Sequence, residues 1–360
     1  MEVLYTYSRF HIGSHNENIK ELIFKSDLNL SNCEIMTDPF GSNKMRFQYN
    51  ETFNYKLEII ENNIYKLTIT KNNNIDELNK GFFWQTGWSL DLKISFFPLV
   101  KNNYYSQENI LKLIPYNYGK IVCLFNEKIV LNKYKVGIVM PLFGRYDYTK
   151  QCLESLANTN LDPDNYILIL VDESLTKDKN NIDNIKTTKL IEDFNLNIPL
   201  IKIFKNQHGN MYDSILCGFD ILSCFGCEFL MTIDSDTIHK PNWISYSLKT
   251  YEDLEKIYSH NFIVVSGFNT LNHPIITNTN NYAIKKDIGG CHMCFKTSIY
   301  RKHIRKTLIS NKWDTNICTL INNNNGIIAT TIPSVIDHIG QISSVRRTKK
   351  HSPYDTAQDY

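Results

Sequence analysis

The chain has 360 residues, more than one average domain needs. With 42% hydrophobic, 21% charged and 12% aromatic residues it has the composition of a globular protein that buries a sizeable core, which excludes global disorder. Its 39 Lys+Arg against 37 Asp+Glu leave a net charge of +2, which excludes a polyelectrolyte tail as the main feature and gives no reason to expect nucleic acid as a partner.

Met1-Glu2-Val3-Leu4-Tyr5 is not a basic segment followed by an apolar one, so no secretory signal is read there. No apolar run approaches the roughly 18 residues of a membrane helix. The nine cysteines follow no regular framework, so reduced thiols, a cytoplasmic location and no membrane span are expected.

Up to about residue 133 short strand signals dominate. Tyr55 to Ile60 and Ile64 to Ile69 flank Glu61-Asn62-Asn63 as a hairpin. Trp88, Leu90, Leu92 and Ile94 alternate with polar residues, the period of a half-buried strand. Ile121 to Phe125 and Lys128 to Leu131 form a second hairpin around Asn126-Glu127. Residues 1–133 therefore read as a small β-rich domain of unassigned role, with Trp84 and Trp88 as core residues more readily than as a sugar-binding surface.

From residue 134 the rhythm becomes strand, helix, strand, helix. The strands are Val136 to Met140, Tyr166 to Val171, Pro199 to Phe204 and Glu228 to Ile233. The helices are Tyr146 to Ala157, Ile182 to Phe194 and Met211 to Leu222. This alternation predicts an α/β, Rossmann-like domain over 134–341, a mainly parallel sheet with helices on both faces. Ligands of such sheets sit beyond the carboxyl ends of the strands. Each of those ends is polar: Pro141, Phe143, Gly144 and Arg145 after the first; Asp172-Glu173-Ser174 after the second; Asn206, His208 and Gly209 after the third; Asp234-Ser235-Asp236 after the fourth. Asp234 and Asp236, two apart in an extended segment, face the same way. Their hard oxygens suit Mn²⁺ or Mg²⁺ shared with phosphate. The plainer alternative is that they cap a helix beginning near Trp243.

The segment 135 to 340 resembles a family 2-type glycosyltransferase of the GT-A fold. Val136 to Arg145 with Cys152-Leu153-Glu154-Ser155-Leu156 resembles its opening strand and first helix. Val171-Asp172-Glu173-Ser174 resembles its second motif, usually Asp-Asp-Gly-Ser and here without the Gly, in which Asp172 holds the nucleotide base. Asp234-Ser235-Asp236 is similar to its metal and sugar-nucleotide motif. The resemblance further implies that Gly289 and Gly290 lie beside the donor sugar, that Asp314, at the start of a short helix, is the catalytic carboxylate, and that His338 is a third metal ligand beside Asp234 and Asp236. Pro141, Phe143, Arg145, Asn206, Gly209 and Ser235 complete the donor site. The activity so implied is a metal-dependent, inverting transfer of sugar from a nucleotide-diphosphate sugar, UDP favoured, to a hydroxyl of a glycan or protein.

Two other readings compete. A nucleotidyltransferase needs a Gly-rich basic loop after the first strand, and Pro141 to Arg145 has one Gly and one Arg. A non-catalytic glycan-binding protein has no use for an intact Asp234/Asp236 pair. The pairs Cys224-x-x-Cys227 and Cys291-x-x-Cys294 raise a structural zinc, which their separation in sequence disfavours. Residues 342–360, with Arg346, Arg347, Lys349 and Lys350, read as a flexible basic tail, solvated or acting as a lid on the diphosphate.

Overall fold

The computed structural model describes residues 10–12, 19–25, 33–40, 53–61, 64–71, 90–98, 122–125, 133–205, 208–259, 262–308, 312–341 and 356–360. The chain divides into two compact units, Met1–Asn117 and Tyr118–Tyr360.

The first unit contains β1 (Phe10–Ile12), β2 (Ile19–Lys25), β3 (Cys33–Phe40), β4 (Phe53–Glu61), β5 (Ile64–Lys71) and β6 (Leu90–Pro98). They make two antiparallel sheets, β1-β6-β3 and β2-β5-β4. β4 and β5 are the arms of the expected hairpin, with Leu57 opposite Leu67. Tyr65 and Leu67, two residues apart on one face of β5, are buried. Trp84, Trp88 and Lys128 to Leu131 lie outside the described residues.

The second unit begins with β7 (Val122–Phe125) and β8 (Val136–Leu142). Next in the chain are α1 (Tyr146–Ala157), β9 (Tyr166–Asp172), α2 (Ile182–Asp193), β10 (Leu200–Phe204), α3 (Met211–Cys224) and β11 (Phe229–Ile233). The chain continues through β12 (Thr237–His239), α4 (Trp243–Tyr258), β13 (Ile263–Ser266), β14 (Ile275–Asn278), β15 (Tyr282–Lys285) and β16 (His292–Lys296). After short helical turns over 297–307 come α5 (Trp313–Asn323), β17 (Ile327–Thr331) and β18 (Ile336–His338).

Ten of these strands form one sheet in the order β14-β15-β17-β13-β16-β11-β8-β9-β10-β7. Its centre, β11-β8-β9-β10, is parallel throughout, as the strand–helix rhythm predicts. All seven residues of β8 are buried, which is why the strand is a continuous apolar run. Val136, Ile138, Met140 and Leu142 share a core with residues of α1 and α4. On the opposite face α3 packs so closely that a Cβ on Gly218 would come within 2.4 Å of Val139. Helices thus cover both faces, and the fold class is the expected α/β arrangement preceded by a β-rich part.

Two details differ from the expectation. β7 pairs antiparallel with β10, so Val122–Phe125 closes the edge of this sheet and belongs to the second unit, and the division falls at 117/118, not at 133/134. At the far end of the chain, Ala357 N donates to Asp337 Oδ1 (2.9 Å), Gln358 N to Asn269 O (2.9 Å), and Ser334 to Asp359 Oδ1 from both N (2.9 Å) and Oγ (2.5 Å). Residues 356–360 are therefore fastened to the domain, where a frayed tail was expected; the basic residues 346–351 lie outside the described residues. Among the described residues no helix is long and apolar enough to cross a membrane.

Candidate active site

At the end of β8 the backbone turns through two consecutive left-handed residues, Gly144 (φ 60°) and Arg145 (φ 58°). A non-glycine residue holds that conformation only when its surroundings enforce it. Here Gly144 N donates to Ser174 Oγ (2.8 Å), and Asp183 at the start of α2 receives Arg145 N (2.7 Å) and Tyr146 N (2.9 Å), capping α1 from outside it. The turn carries the Arg145 guanidinium across to the end of β11. There Nη2 donates to Ser235 Oγ (3.1 Å) and Nη1 to Asp236 Oδ2.

Asp234, Ser235 and Asp236 stand directly beyond β11. β12 comes next, and α4 starts only at Trp243, so the two carboxylates cap no helix. β12 pairs antiparallel with β18, Thr237 opposite His338, and this register brings together residues 102 positions apart: His338 Nε2 lies 3.2 Å from Asp236 Oδ2. Gly340 completes the corner, since a Cβ there would lie 1.8 Å from Asp236 Oδ2 and 3.0 Å from His338 Nε2.

The electrostatics divide the two acids. Burial pushes the Asp234 carboxyl well above the ordinary carboxylate range, and the neighbouring Asp236 adds to the rise. Burial acts on Asp236 too, but the His338 hydrogen bond and the Arg145 charge outweigh it and hold Asp236 low. Asp234 Oδ1 and Asp236 Oδ1 are buried with no hydrogen-bond partner. Two unsatisfied, hard oxygens at one strand end, with an imidazole beside them, are a donor set that fits Mn²⁺ or Mg²⁺. Among the described residues no three His, Cys, Asp or Glu side chains are arranged to hold an ion by themselves. An ion at this place needs oxygens from its ligand, as Mg²⁺ commonly takes them from phosphate.

The expected acceptor side adjoins this cluster. Asp234 N donates to Cys291 O (3.0 Å), next to the Gly289-Gly290 turn, and a Cβ on Gly290 would strike Trp313 at 2.5 Å. Asp314 follows Trp313 in the first turn of α5, and its charge contributes to raising Asp234. Asp314 Oδ1 also accepts from Thr315 N (2.7 Å), so the residue has a local role as well.

Asp172 is held within the protein. Its Oδ1 accepts from Ser174 N (2.9 Å) and Ser174 Oγ (2.5 Å), and its Oδ2 from Thr188 Oγ1 (2.6 Å). Both oxygens are engaged inside the protein, tying the end of β9 to α2. Beside it, Glu173 accepts from Lys205 Nζ, from Ser214 Oγ and from Gly209 N (2.9 Å). This buried pair fixes the loop that carries Gly209 and His208, whose ring lies 5.5 Å from that of Phe143. Pro141 is buried within β8, and Asn206 lies outside the described residues. Glu173 and Gly340 were given no role from the sequence because their roles depend on contacts distant in sequence; the only local signals were a charge directly after a strand and a glycine two residues after His338.

The cysteine pairs form no metal centre among the described residues. Cys227, Cys291 and Cys294 are buried, and burial pushes the Cys227 and Cys294 thiols up, away from the thiolate a zinc ion needs.

Residues 137–309 match the family model described as "Glycosyl transferase family 2". The match includes Asp172, Asp234, Asp236 and the Gly289-Gly290 turn and stops short of Asp314 and His338. No curated protein matches the chain. Among solved structures, the crystal structure of S. aureus TarS 1-349 is similar over 54% of this chain, at 14% identity and a TM-score of 0.35. The aligned part spans 57% of that structure's chain.

Proposed function

We propose that the protein, whose residues 137–309 match the family model described as "Glycosyl transferase family 2", is a metal-dependent, inverting glycosyltransferase that moves a sugar from a nucleotide-diphosphate donor, UDP favoured, to a hydroxyl of a glycan or protein. The observation that carries this is the pair of orphaned buried oxygens on Asp234 and Asp236 beside His338 and Arg145. Such oxygens are costly to keep unless a ligand meets them.

In this reading Asp236 and Asp234, with His338 beside them, would hold the ion together with oxygens of its phosphate ligand. A bound Mn²⁺ or Mg²⁺ supplies a positive charge for the departing diphosphate. Arg145, always charged and presented by its left-handed turn, adds donors in the fork geometry that suits phosphate oxygens. Asp314 receives the proton of the acceptor hydroxyl as its oxygen forms a bond to the anomeric carbon and the bond from that carbon to the diphosphate breaks. The Gly289-Gly290 turn leaves bare backbone beside the reacting groups, and the domain holds donor and acceptor in line.

The test is a melting-temperature panel of UDP, GDP and CDP, each with Mn²⁺ or with chelator, on the parent and on Asp236→Asn. A ligand that binds only the folded state raises its stability by mass action, about 2.7 kcal/mol at a hundred times Kd. The expected result is a rise with UDP and Mn²⁺ in the parent that chelator removes and Asp236→Asn lacks, while the variant without ligand melts as a folded protein. Mn²⁺-dependent UDP binding that survives Asp236→Asn would refute the assignment.

A further inference from the structure

Among the ordered pairs of titratable side chains that the proposed transfer leaves unused, one is partly exposed beside the Gly289-Gly290 turn. His273 Nδ1 and Asp287 Oδ1 lie 2.5 Å apart. In the neutral ring whose Nδ1–H faces the Asp287 carboxylate, Nε2 presents a lone pair. Nε2 has no hydrogen-bond partner among the described residues, and the His273 side chain is 23% exposed. A histidine that served packing alone would have its second nitrogen buried or satisfied; this one is oriented through one nitrogen and open at the other.

The ring is also aimed. Lys285 is almost wholly buried, and its Nζ donates to the carbonyls of Thr270 (2.5 Å) and His273 (3.2 Å), fastening the turn between β13 and β14 to β15. A Cβ on Gly289 would lie 3.4 Å from His273 Nε2, so the open nitrogen borders the bare backbone of the paired glycines. Gly290 rests on Trp313, the neighbour of Asp314, and Cys291 accepts from Asp234 N. The Gly289-Gly290-Cys291 segment thus borders His273 Nε2 at one end, touches Trp313, the residue before Asp314, in its middle, and meets Asp234 at the other end. Leu271, two residues before His273, is 77% exposed, so the approach is open to solvent.

We propose that His273, held by Asp287, is an acceptor-binding residue whose Nε2 accepts a hydrogen bond from a hydroxyl of a sugar acceptor, next to the hydroxyl that Asp314 deprotonates. The assignment rests on the glycosyltransferase reading and names the acceptor class: a polyhydroxylated ring with a second hydroxyl within reach of the first. A carboxylate-oriented imidazole is suited to this, because its tautomer is fixed before the acceptor arrives.

The full chain carrying ring-labelled histidine (¹³C at Cε1, ¹⁵N at both nitrogens) tests it by nuclear magnetic resonance. His273→Gln identifies the resonance by its loss, and Asp287→Asn, which perturbs its partner's ring, does so independently should His273→Gln fold poorly. With UDP and Mg²⁺ present, the methyl glycosides of glucose, galactose, mannose and N-acetylglucosamine are added one at a time. At least one should move the His273 signals saturably, the larger change falling on Nε2. Asp287→Asn should weaken that glycoside about five-fold, the scale of one hydrogen bond. A His273 resonance that none of the four glycosides moves overturns the proposal. UDP binding is followed separately by melting temperature: its failure overturns the glycosyltransferase reading, whereas UDP that binds beside an unmoved His273 overturns only the acceptor assignment.

Discussion

Asp314 has a local contact and a proposed role as base, and substitution can separate the two. Its Oδ1 accepts from Thr315 N at 2.7 Å, and its charge reaches Asp234. Asp314→Asn keeps an oxygen for the first job and removes the base. The single-turnover rate should fall about 10²–10⁴-fold, the usual share of a positioned general base, with UDP and Mn²⁺ binding and melting temperature nearly unchanged. A lowered melting temperature with an intact rate would reduce Asp314 to a helix-end residue, a role that costs about 1 kcal/mol when removed. Gly340 is the opposite case, a residue with no chemistry of its own. In Gly340→Ala the new methyl would lie 1.8 Å from Asp236 Oδ2, so carboxylate or backbone must move. Mn²⁺ affinity should drop about 10- to 100-fold, the effect typical of disturbing a ligand's support, as read by calorimetry with UDP present. Affinity equal to the parent's would show that Asp236 does not hold the ion in this position.

At the scale of elements, the hydrogen bonds from Ser174 and Thr188 to Asp172 make a strut between β9 and α2. Asp172→Ala strands those donors in a buried place, at about 1–3 kcal/mol. For a domain of this size each kcal/mol lowers the melting temperature by about 2–4 °C. The drop should appear with or without UDP; a variant that melts normally and loses only UDP affinity would return Asp172 to the role its motif suggests. The difference marks where sequence reading stops. β8 to β11 and α1 to α3 were legible because buried strands are solid apolar runs and half-buried helices repeat every three to four residues. β14, all four residues exposed, and β13, β15, β16 and β17, of four or five residues each, have no such period, and the antiparallel half of the sheet went unread. In the site, Asp234 and Asp236 were legible because strand ends are where polar pairs stand out. The lysine that neutralises Glu173 is 32 residues away, and a cation directly after a strand looks like any surface lysine.

The whole domain carries an acid sensitivity. His239 and His292 are buried on either side of Trp243, with ring centroids 5.0 and 5.6 Å from it, and burial pushes both imidazoles down to about 3. The unfolded chain takes up these protons near pH 6.5, whereas the folded protein does not. Stability is therefore full above about pH 6.5 and falls as the pH drops toward about 3, by up to about 1.4 kcal/mol per pH unit for each histidine. Urea unfolding at pH 7, 6 and 5 should show the loss, and His292→Gln should lessen its slope; a stability independent of pH over that range would mean that the histidines are not sealed from water. The pairing of β12 with β18 has a consequence in time. Asp236 and His338 are neighbours only because a strand from the end of the domain lies against one from its middle. As a nascent chain emerges, all ten strands of the large sheet are available by Thr331, before His338 has left the ribosome. The scaffold can thus be complete while the corner of Asp236 and His338 is still missing, and under the proposed reading ion and donor capture would wait for β18.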